Sequence, residues 1–258
     1  MNKSLIKKFY LFFTSAFIFL IHVPFVFAKI RPITTNQLSF SEAKPTSFMG
    51  TPTTEDPNCP KKAAIYDSLK LSNLGLSRQA YEYAMKGFRY LLSIGKLNDD
   101  KIISIVDFSL PSSKKRLFIL DLINYKLLFN TYVAHGRNSG KETATAFSNK
   151  EESYQSSLGF YVTQETYTGK HGYSLHLEGE ERGFNDNARS REIVMHSAAY
   201  VNESLIRSQG YIGRSQGCPA LPEKMHKPII EKIKNGTCLF LYSPDQYYTS
   251  HSQILQAS

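Results

Sequence analysis

The stretch KIISIVDFSLPSSKKRLFILDLINYKLLFNTYVAHG, residues 101–136, carries the pattern that decides the fold. It contains three short runs of β-branched and aromatic residues, which are separated by PSSKK and INY. Runs of this length, bounded by turn-forming residues, are typical of strands. More runs of the same kind follow in the order LGFYVTQETY, YSLHLEG, REIVMHSAAY and GTCLFLYSP. The sequence therefore predicts a mainly β domain.

A helical segment precedes these strands, over residues 61–98. In SRQAYEYAMKGFRYLLSIGKL, apolar side chains recur at the spacing of one helix face. Ser77 is expected to cap the start of this helix and Gly95 to end it. A shorter helix is expected in PEKMHKPIIEKIKNG, ending at Gly236. With these helices the predicted fold class is α+β overall, a mainly β domain behind a helical N-terminal segment.

The N-terminus has the features of a secretory signal peptide. Residues 1–28 combine a lysine-containing start, a long apolar run and a small residue, Ala28, at the expected cleavage point. An uncleaved anchor helix is the alternative, because the apolar run is long enough to span a bilayer. No later segment is apolar enough to cross a membrane, so the chain is expected to be exported to the periplasm, the cell envelope or the medium. The expected organisation is a signal peptide (1–28), a flexible lead-in (29–60), the helical segment (61–98), a catalytic-sized domain (99–244) and a C-terminal tail (245–258).

The charge of the chain narrows the classes of partner. Residues 1–28 hold three lysines and no acidic residue, so their removal lowers the formal net charge from +9 to +6. No arginine-rich run or aromatic nucleic-acid motif is present, which argues against a nucleic-acid partner and favours an acidic extracellular one. A merely solvated basic surface is the alternative. No HExxH or CxxC spacing occurs, so neither a metal nor another cofactor is expected.

Cys218 lies in GRSQGCPALP (213–222), among small and polar residues. A cysteine attacks as the thiolate, and its ordinary pKa of roughly 8.5 means that it needs a nearby base or positive charge. Gly217 leaves room for a substrate carbonyl, and the amides of Gly217 and Cys218 are able to point together at an oxyanion. The structural alternative is a disulfide from Cys218 to Cys59 or Cys238. A pairing of Cys59 with Cys238 is expected, since it leaves Cys218 as the free thiol of an exported protein.

A histidine is the expected base, and His196 is the first candidate. It closes the strand-like run REIVMH and is followed by small residues, so its ring is expected at a strand end, where a site can form. A structural histidine is the alternative at such a position. His135, His171 and His176 are weaker candidates, each expected to be a structural or a substrate-facing residue.

Two motifs, VMHSAAY (194–200) and SQGCPALP (215–222), resemble the histidine and Ser-x-Gly-Cys motifs of the murein L,D-transpeptidase catalytic-domain family (YkuD-like). LFILDLINYKLLFNTYVAHGRNSG and TATAFSNKEESYQSSLGFYVT, which precede them, resemble the family's strands and glycine loop in the same order. GKHGYSLHLEGEERGFNDNARSREIVMH resembles one secreted branch of the family. The resemblance covers roughly residues 101–243 and implies a mixed β-sandwich or barrel.

The resemblance also implies a cysteine enzyme that acts on peptidoglycan stem peptides. Cys218 is expected to attack the carbonyl of the third stem residue, so that the terminal D-alanine leaves and an amine of a second stem peptide resolves the thioester. His196 is the expected general base and acid. The Gly217 and Cys218 amides are expected to hold the oxyanion, and Ser215 to fix the loop. The expected substrate-binding residues are Arg214, His171 and Tyr173.

Departures from the family pattern leave the acceptor open. Gln216 stands where better-known members often have histidine, PAL follows the cysteine where they tend to have a polar residue or an arginine, and the spacing from His196 to Ser215 is long. Arg214, just before the cysteine motif, is therefore expected to bind the substrate carboxylate or to lower the pKa of the Cys218 thiol; a solvated arginine is the alternative.

An L,D-carboxypeptidase with the same site and a catalytically decayed cell-wall-binding protein are the alternative functions. A sortase-like enzyme is excluded, because no arginine follows Cys218.

Overall fold

A computed structural model describes residues 65–257 of the chain. The strands among these residues are β1 (Ile102–Asp107), β2 (Leu117–Asp121), β3 (Lys126–Thr131), β4 (Gly159–Gly169), β5 (Gly172–Gly179), β6 (Val194–Ser197), β7 (Ala220–Leu221) and β8 (Cys238–Tyr242). They form one eight-stranded sheet in the order β3-β2-β1-β8-β4-β5-β6-β7. β1 runs parallel to β8 and β6 runs parallel to β7, whereas the other neighbours are antiparallel.

The two edge strands of the sheet, β3 and β7, approach each other. Ala134, just after the end of β3, pairs with Ala220 of β7 across an isolated antiparallel bridge. The Ala134 amide donates a hydrogen bond to the Ala220 carbonyl at 2.9 Å. Gly136 and Ser215 form a second, parallel bridge. The sheet is therefore a nearly closed barrel, and the predicted mainly β fold with helices is confirmed.

Each run that the sequence predicted to be a strand contains a strand of this sheet. The strand that the sequence did not predict is β7, which is two residues long and lies between Pro219 and Pro222. β1, β2 and β8 are buried along their whole length. Strands buried on both faces must be covered on both sides, and a helix packed against β1 and β8 supplies part of that cover.

This helix is α1 (Arg78–Ser93), the one that the sequence predicted. Ser77 caps it, since its side chain accepts a hydrogen bond from the Ala80 amide at 3.0 Å. The helix ends before Gly95, whose φ of 71° lies in the left-handed region. Four further helices are α2 (Glu203–Gln209), α3 (Glu223–Ile233), α4 (Gln246–His251) and α5 (Gln253–Gln256); residues 65–68 are also helical, and a 3-10 turn spans Leu71–Leu74. The second predicted helix is α3, which ends a few residues before Gly236.

Gly87, in the middle of α1, is expected to resist even the smallest substitution. A Cβ at this position would lie 2.1 Å from the ring of Phe160, which stacks on the ring of Phe240 at 4.1 Å. Alanine gains roughly 1 kcal/mol of helix propensity over glycine, but forcing an extra carbon into a packed core costs roughly 1–3 kcal/mol. We therefore expect Gly87→Ala to lower the free energy of unfolding in chemical denaturation, whereas Arg89→Ala, on the exposed side of α1, should leave it nearly unchanged. A Gly87→Ala protein at least as stable as the wild type would contradict this packing.

The segment 245–258, which the sequence assigned to a C-terminal tail, contains α4 and α5 and packs into the core. The carboxylate of Glu181 accepts hydrogen bonds from the Tyr248 hydroxyl at 2.9 Å, from the Phe160 amide at 2.8 Å and from the Ser252 hydroxyl. Glu181 is 2% exposed, and burial raises the pKa of its carboxyl group. The end of the chain is therefore hydrogen-bonded to the strand region rather than being a detached extension.

Several sequence predictions lie outside the described residues. These are the signal peptide (1–28), the flexible lead-in (29–60) and, within the lead-in, Cys59. Cys238, the predicted disulfide partner of Cys59, carries a free thiol that is completely buried in β8. Among residues 65–257, no helix is both long and apolar enough to span a bilayer.

Candidate active site

The parallel pairing of β6 with β7 brings the predicted histidine and cysteine together. His196 of β6 lies opposite Ala220 of β7, and Cys218 precedes Ala220 by two residues. Cys218 lies in the bend that precedes β7, so this register places it beside β6 near Val194, two residues before His196. The Sγ atom of Cys218 accepts a hydrogen bond from the amide of Val194 at 3.5 Å and lies 3.6 Å from the carbonyl oxygen of Glu192.

His196 is held as a neutral base. Its Nδ1 atom lies 2.8 Å from the carbonyl oxygen of Ser197, and since a carbonyl only accepts, Nδ1 carries the proton. Nε2 is then left as the acceptor nitrogen. Burial lowers the pKa of His196, which is 4% exposed, against the opposing effect of the Ser197 carbonyl. The ring of His171 stacks on the His196 ring, with 4.4 Å between the centroids.

The loop before Cys218 is fixed by Ser215. The Ser215 hydroxyl donates to the carbonyl of Cys218 at 2.6 Å and accepts from the amide of Gly217 at 3.0 Å. The loop requires glycine at 217, because φ is 126° and a Cβ there would lie 2.7 Å from the carbonyl oxygen of Gln155. Ser215 thus has the contacts of a loop-fixing residue. The predicted oxyanion pair differs from the structure in one respect: the Gly217 amide is already engaged by Ser215.

The thiol of Cys218 rests in its protonated form. Burial raises its pKa, and the amide of Val194, the charge of Arg191 and its own amide act in the opposite direction. The nearby carboxylate of Glu192 raises the pKa further. A base that removes the thiol proton is therefore needed, and the neutral imidazole of His196 is suited to that task.

Comparison with known proteins gives the family. The model of the L,D-transpeptidase catalytic-domain family matches residues 72–242. The chain belongs to this family. Its match begins ahead of α1, so the family domain includes the helix that the sequence analysis assigned to a separate N-terminal segment. No curated protein matches the chain.

Solved L,D-transpeptidases are similar to this chain at low identity. One from Mycobacterium smegmatis is 11% identical with a TM-score of 0.35, and the alignment covers 55% of this chain and 59% of that protein. One from Stackebrandtia nassauensis is 15% identical with a TM-score of 0.32, covering 72% of this chain and 79% of that one. One from Xylanimonas cellulosilytica is 13% identical with a TM-score of 0.31, covering 71% and 93%. The chain thus spans only 59% of the Mycobacterium smegmatis protein, and these similarities add nothing about the site.

Arg214 of this L,D-transpeptidase domain points to a loop rather than to the thiol. Its Nη1 atom donates to the carbonyl oxygens of Arg137 at 3.2 Å and Gly140 at 3.1 Å. The charge of Arg191, rather than that of Arg214, is the one that lowers the pKa of the Cys218 thiol, and carboxylate binding by Arg214 stays a prediction. The sequence analysis missed Arg191, although it lies in the run REIVMH that ends at the histidine.

The two other predicted substrate-binding residues, His171 and Tyr173, lie in the turn between β4 and β5 and at the start of β5. His171 is exposed in the turn between β4 and β5, and its carbonyl accepts from the Ser197 hydroxyl at 3.3 Å. Tyr173, at the start of β5, donates its hydroxyl to the carboxylate of Glu231 on α3. His171 therefore borders His196 directly, whereas the Tyr173 hydroxyl is already bound to a protein group.

The weaker histidine candidates have structural environments. His135 is 1% exposed, accepts at Nδ1 from the buried guanidinium of Arg116 at 2.7 Å and donates at Nε2 to the Gly140 carbonyl at 3.2 Å. Burial and the charge of Arg116 lower the pKa of His135 to about 3. His176 stacks on Tyr167, with 4.3 Å between ring centroids. Of these three histidines, only His196 lies two residues from Val194, whose amide contacts the Cys218 thiol.

Proposed function

We propose that the chain is a cysteine-dependent L,D-transpeptidase that acts on peptidoglycan stem peptides through a thioester acyl-enzyme. The observation that supports the proposal is the β6–β7 pairing, which places the half-buried thiol of Cys218 beside Val194, two residues before a histidine whose Nε2 is left as the acceptor nitrogen. Family membership supports the same reaction class. An arrangement of this kind is the usual means of activating a cysteine nucleophile.

In the first half of the proposed reaction, Nε2 of His196 removes the proton from Sγ of Cys218. The thiolate adds to the carbonyl carbon of the third stem residue, and the amide bond to the terminal D-alanine breaks. His196 returns its proton to the departing amine, which leaves Cys218 as a thioester. The neutral state of His196 supports this order, since a protonated imidazole cannot accept the thiol proton.

The negative charge that develops on the carbonyl oxygen needs a hydrogen-bond donor. The amide of Cys218 is the donor that we propose, because the Gly217 amide is bound to Ser215. The peptide plane of that amide contains the Gly217 carbonyl, which accepts a hydrogen bond from the Ser156 hydroxyl at 3.1 Å.

In the second half, an amine of another stem peptide attacks the thioester. It gives a proton to His196 as its nitrogen bonds to the carbonyl carbon, and the thiolate leaves and regains a proton. The product is a joined pair of stem peptides. Hydrolysis by water at the same step would give an L,D-carboxypeptidase from the same site. We place the reaction in the cell envelope, where its substrate lies, in keeping with the signal-like residues 1–28.

Incubation with purified muropeptides tests the proposed function. We expect loss of D-alanine together with a joined product, detected by mass spectrometry of the reaction mixture. Loss of D-alanine without a joined product indicates carboxypeptidase action by the same thiol. Unchanged muropeptides in the presence of folded protein would refute the proposal and favour a cell-wall-binding protein with a decayed site.

A further inference from the structure

Arg191 lies in the turn before β6 and is the centre of a hydrogen-bonded cluster beside the cysteine loop. Its Nη1 atom donates to the carbonyl of Ser148 and to the hydroxyl of Ser157, both at 2.8 Å. Its Nη2 atom donates to the hydroxyl of Ser153 at 3.2 Å and to the carbonyl of Gln155 at 2.7 Å. One half-buried guanidinium thus binds four groups of the segment 148–157.

The segment that Arg191 holds packs directly against the cysteine loop. The hydroxyl of Ser156 donates to the carbonyl of Gly217 at 3.1 Å. A Cβ on Gly217 would lie 2.7 Å from the carbonyl oxygen of Gln155 and 3.4 Å from Nη2 of Arg191. The guanidinium therefore lies close to Gly217, the residue that precedes Cys218 in the sequence. Replacing Arg191 would remove the hydrogen bonds that hold segment 148–157, and this segment packs against the cysteine loop.

The charge of Arg191 is not neutralised by its hydrogen bonds. All four of its hydrogen-bond acceptors are carbonyl or hydroxyl oxygens, with no carboxylate among them. A cation in such surroundings acts on a nearby thiol with little screening. The titratable groups that face Cys218 in the described residues are Arg191, Glu192 and Tyr200. Among these three, only Arg191 carries a positive charge.

We propose that Arg191 is a positioning residue, which binds segment 148–157 to the cysteine loop and stabilises the thiolate of Cys218 by its charge. This inference deepens the proposed function and rests on it, because it assigns the electropositive group that a cysteine nucleophile requires. It gives Arg191 the electrostatic role for which the sequence suggested Arg214. Arg191 does not contact the substrate; it acts through the thiol and the loop.

The rate at which iodoacetamide alkylates Cys218, measured against pH by peptide mass mapping, tests this role. We expect Arg191→Gln to slow alkylation at pH 7 roughly tenfold, because one pKa unit changes the thiolate fraction by that factor. Arg191→Lys, which keeps the charge, should stay within roughly threefold of the wild type. Glu192→Gln should act in the opposite direction and speed alkylation. Arg189→Gln is the matched control, since Arg189 is exposed and pairs with Glu165 at 2.9 Å, and it should change nothing.

Two results would overturn the inference. The first is an Arg191→Gln protein with native circular dichroism and the wild-type alkylation profile. The second covers the case in which Arg191→Gln does not fold: a folded Arg191→Lys protein that loses reactivity tenfold would show that the charge is not what Cys218 needs. Alkylation requires no muropeptide, so a wild type that leaves muropeptides unchanged would refute the proposed function without affecting this result.

Discussion

Replacing Cys218 by alanine is expected to lower the release of D-alanine from muropeptides by roughly 10³-fold or more. The reason is that the other cysteine of the described residues, Cys238, is completely buried in β8 and has no access to a substrate. Cys218 is half-buried at the entry to β7, so losing its sulfur should disturb the fold little. Mass spectrometry of the muropeptide products measures the rate, and circular dichroism checks the fold.

Cys238→Ala is the matched control for the loss of a thiol. It removes a buried sulfur from the centre of the sheet, so it should lower the free energy of unfolding by about 1 kcal/mol or more through the cavity it leaves. At a temperature below its unfolding transition, its turnover should equal that of the wild type. Turnover that persists in Cys218→Ala would mean that the nucleophile is another residue, and the proposed mechanism would have to be abandoned.

The strands could be predicted from the sequence because their patterns are local. The runs of β-branched and aromatic residues that became β1 to β6 and β8 can be recognised without knowledge of the partner strands. β7 could not be predicted, since two residues between Pro219 and Pro222 carry no pattern, and the strand exists only because Ala220 pairs with His196 and Ala134. α4 could not be predicted either, because it depends on Tyr248, whose buried hydroxyl donates a hydrogen bond to Glu181, a residue far away in the sequence.

Some residues of the candidate site could likewise be predicted from the sequence, and others could not. Cys218 and His196 could be selected from the sequence, because a cysteine among small residues and a histidine at a strand end are local features. The cation beside the thiol could not be selected, since closeness along the chain favoured Arg214 whereas the fold brings Arg191 to Gly217. The sequence position of Gly217 suggested an oxyanion donor. The hydrogen bond from its amide to the Ser215 hydroxyl depends on the folded loop and could not be read from the sequence.

The pH dependence of the reaction follows from the state of His196. Burial lowers the pKa of His196 below its ordinary 6.5, and the nearby His171 and His226 act in the same direction. The reaction needs the neutral imidazole, so its rate should be maintained below pH 6.5 and fall only when the pH drops through this lowered pKa. Unlike an exposed histidine, His196 should therefore stay active as a base in mildly acidic solution.

Replacing His196 by glutamine is expected to lower turnover by roughly 10²–10⁴-fold, the usual contribution of a general acid–base, and to remove this acidic fall of the rate. Glutamine retains an N–H group able to reach the Ser197 carbonyl, so the strand should remain intact while the proton acceptor is lost. His251→Gln is the control, because His251 is exposed on α4 and its ring lies against the carbonyl of Tyr247; its rate should stay near that of the wild type. If His196→Gln kept most of its rate and His171→Gln lost it, the base would be His171, whose ring stacks on that of His196. Muropeptide turnover measured from pH 4 to pH 9 in all three variants distinguishes these outcomes, since only the variant that lacks the true base loses the acidic limb of the profile.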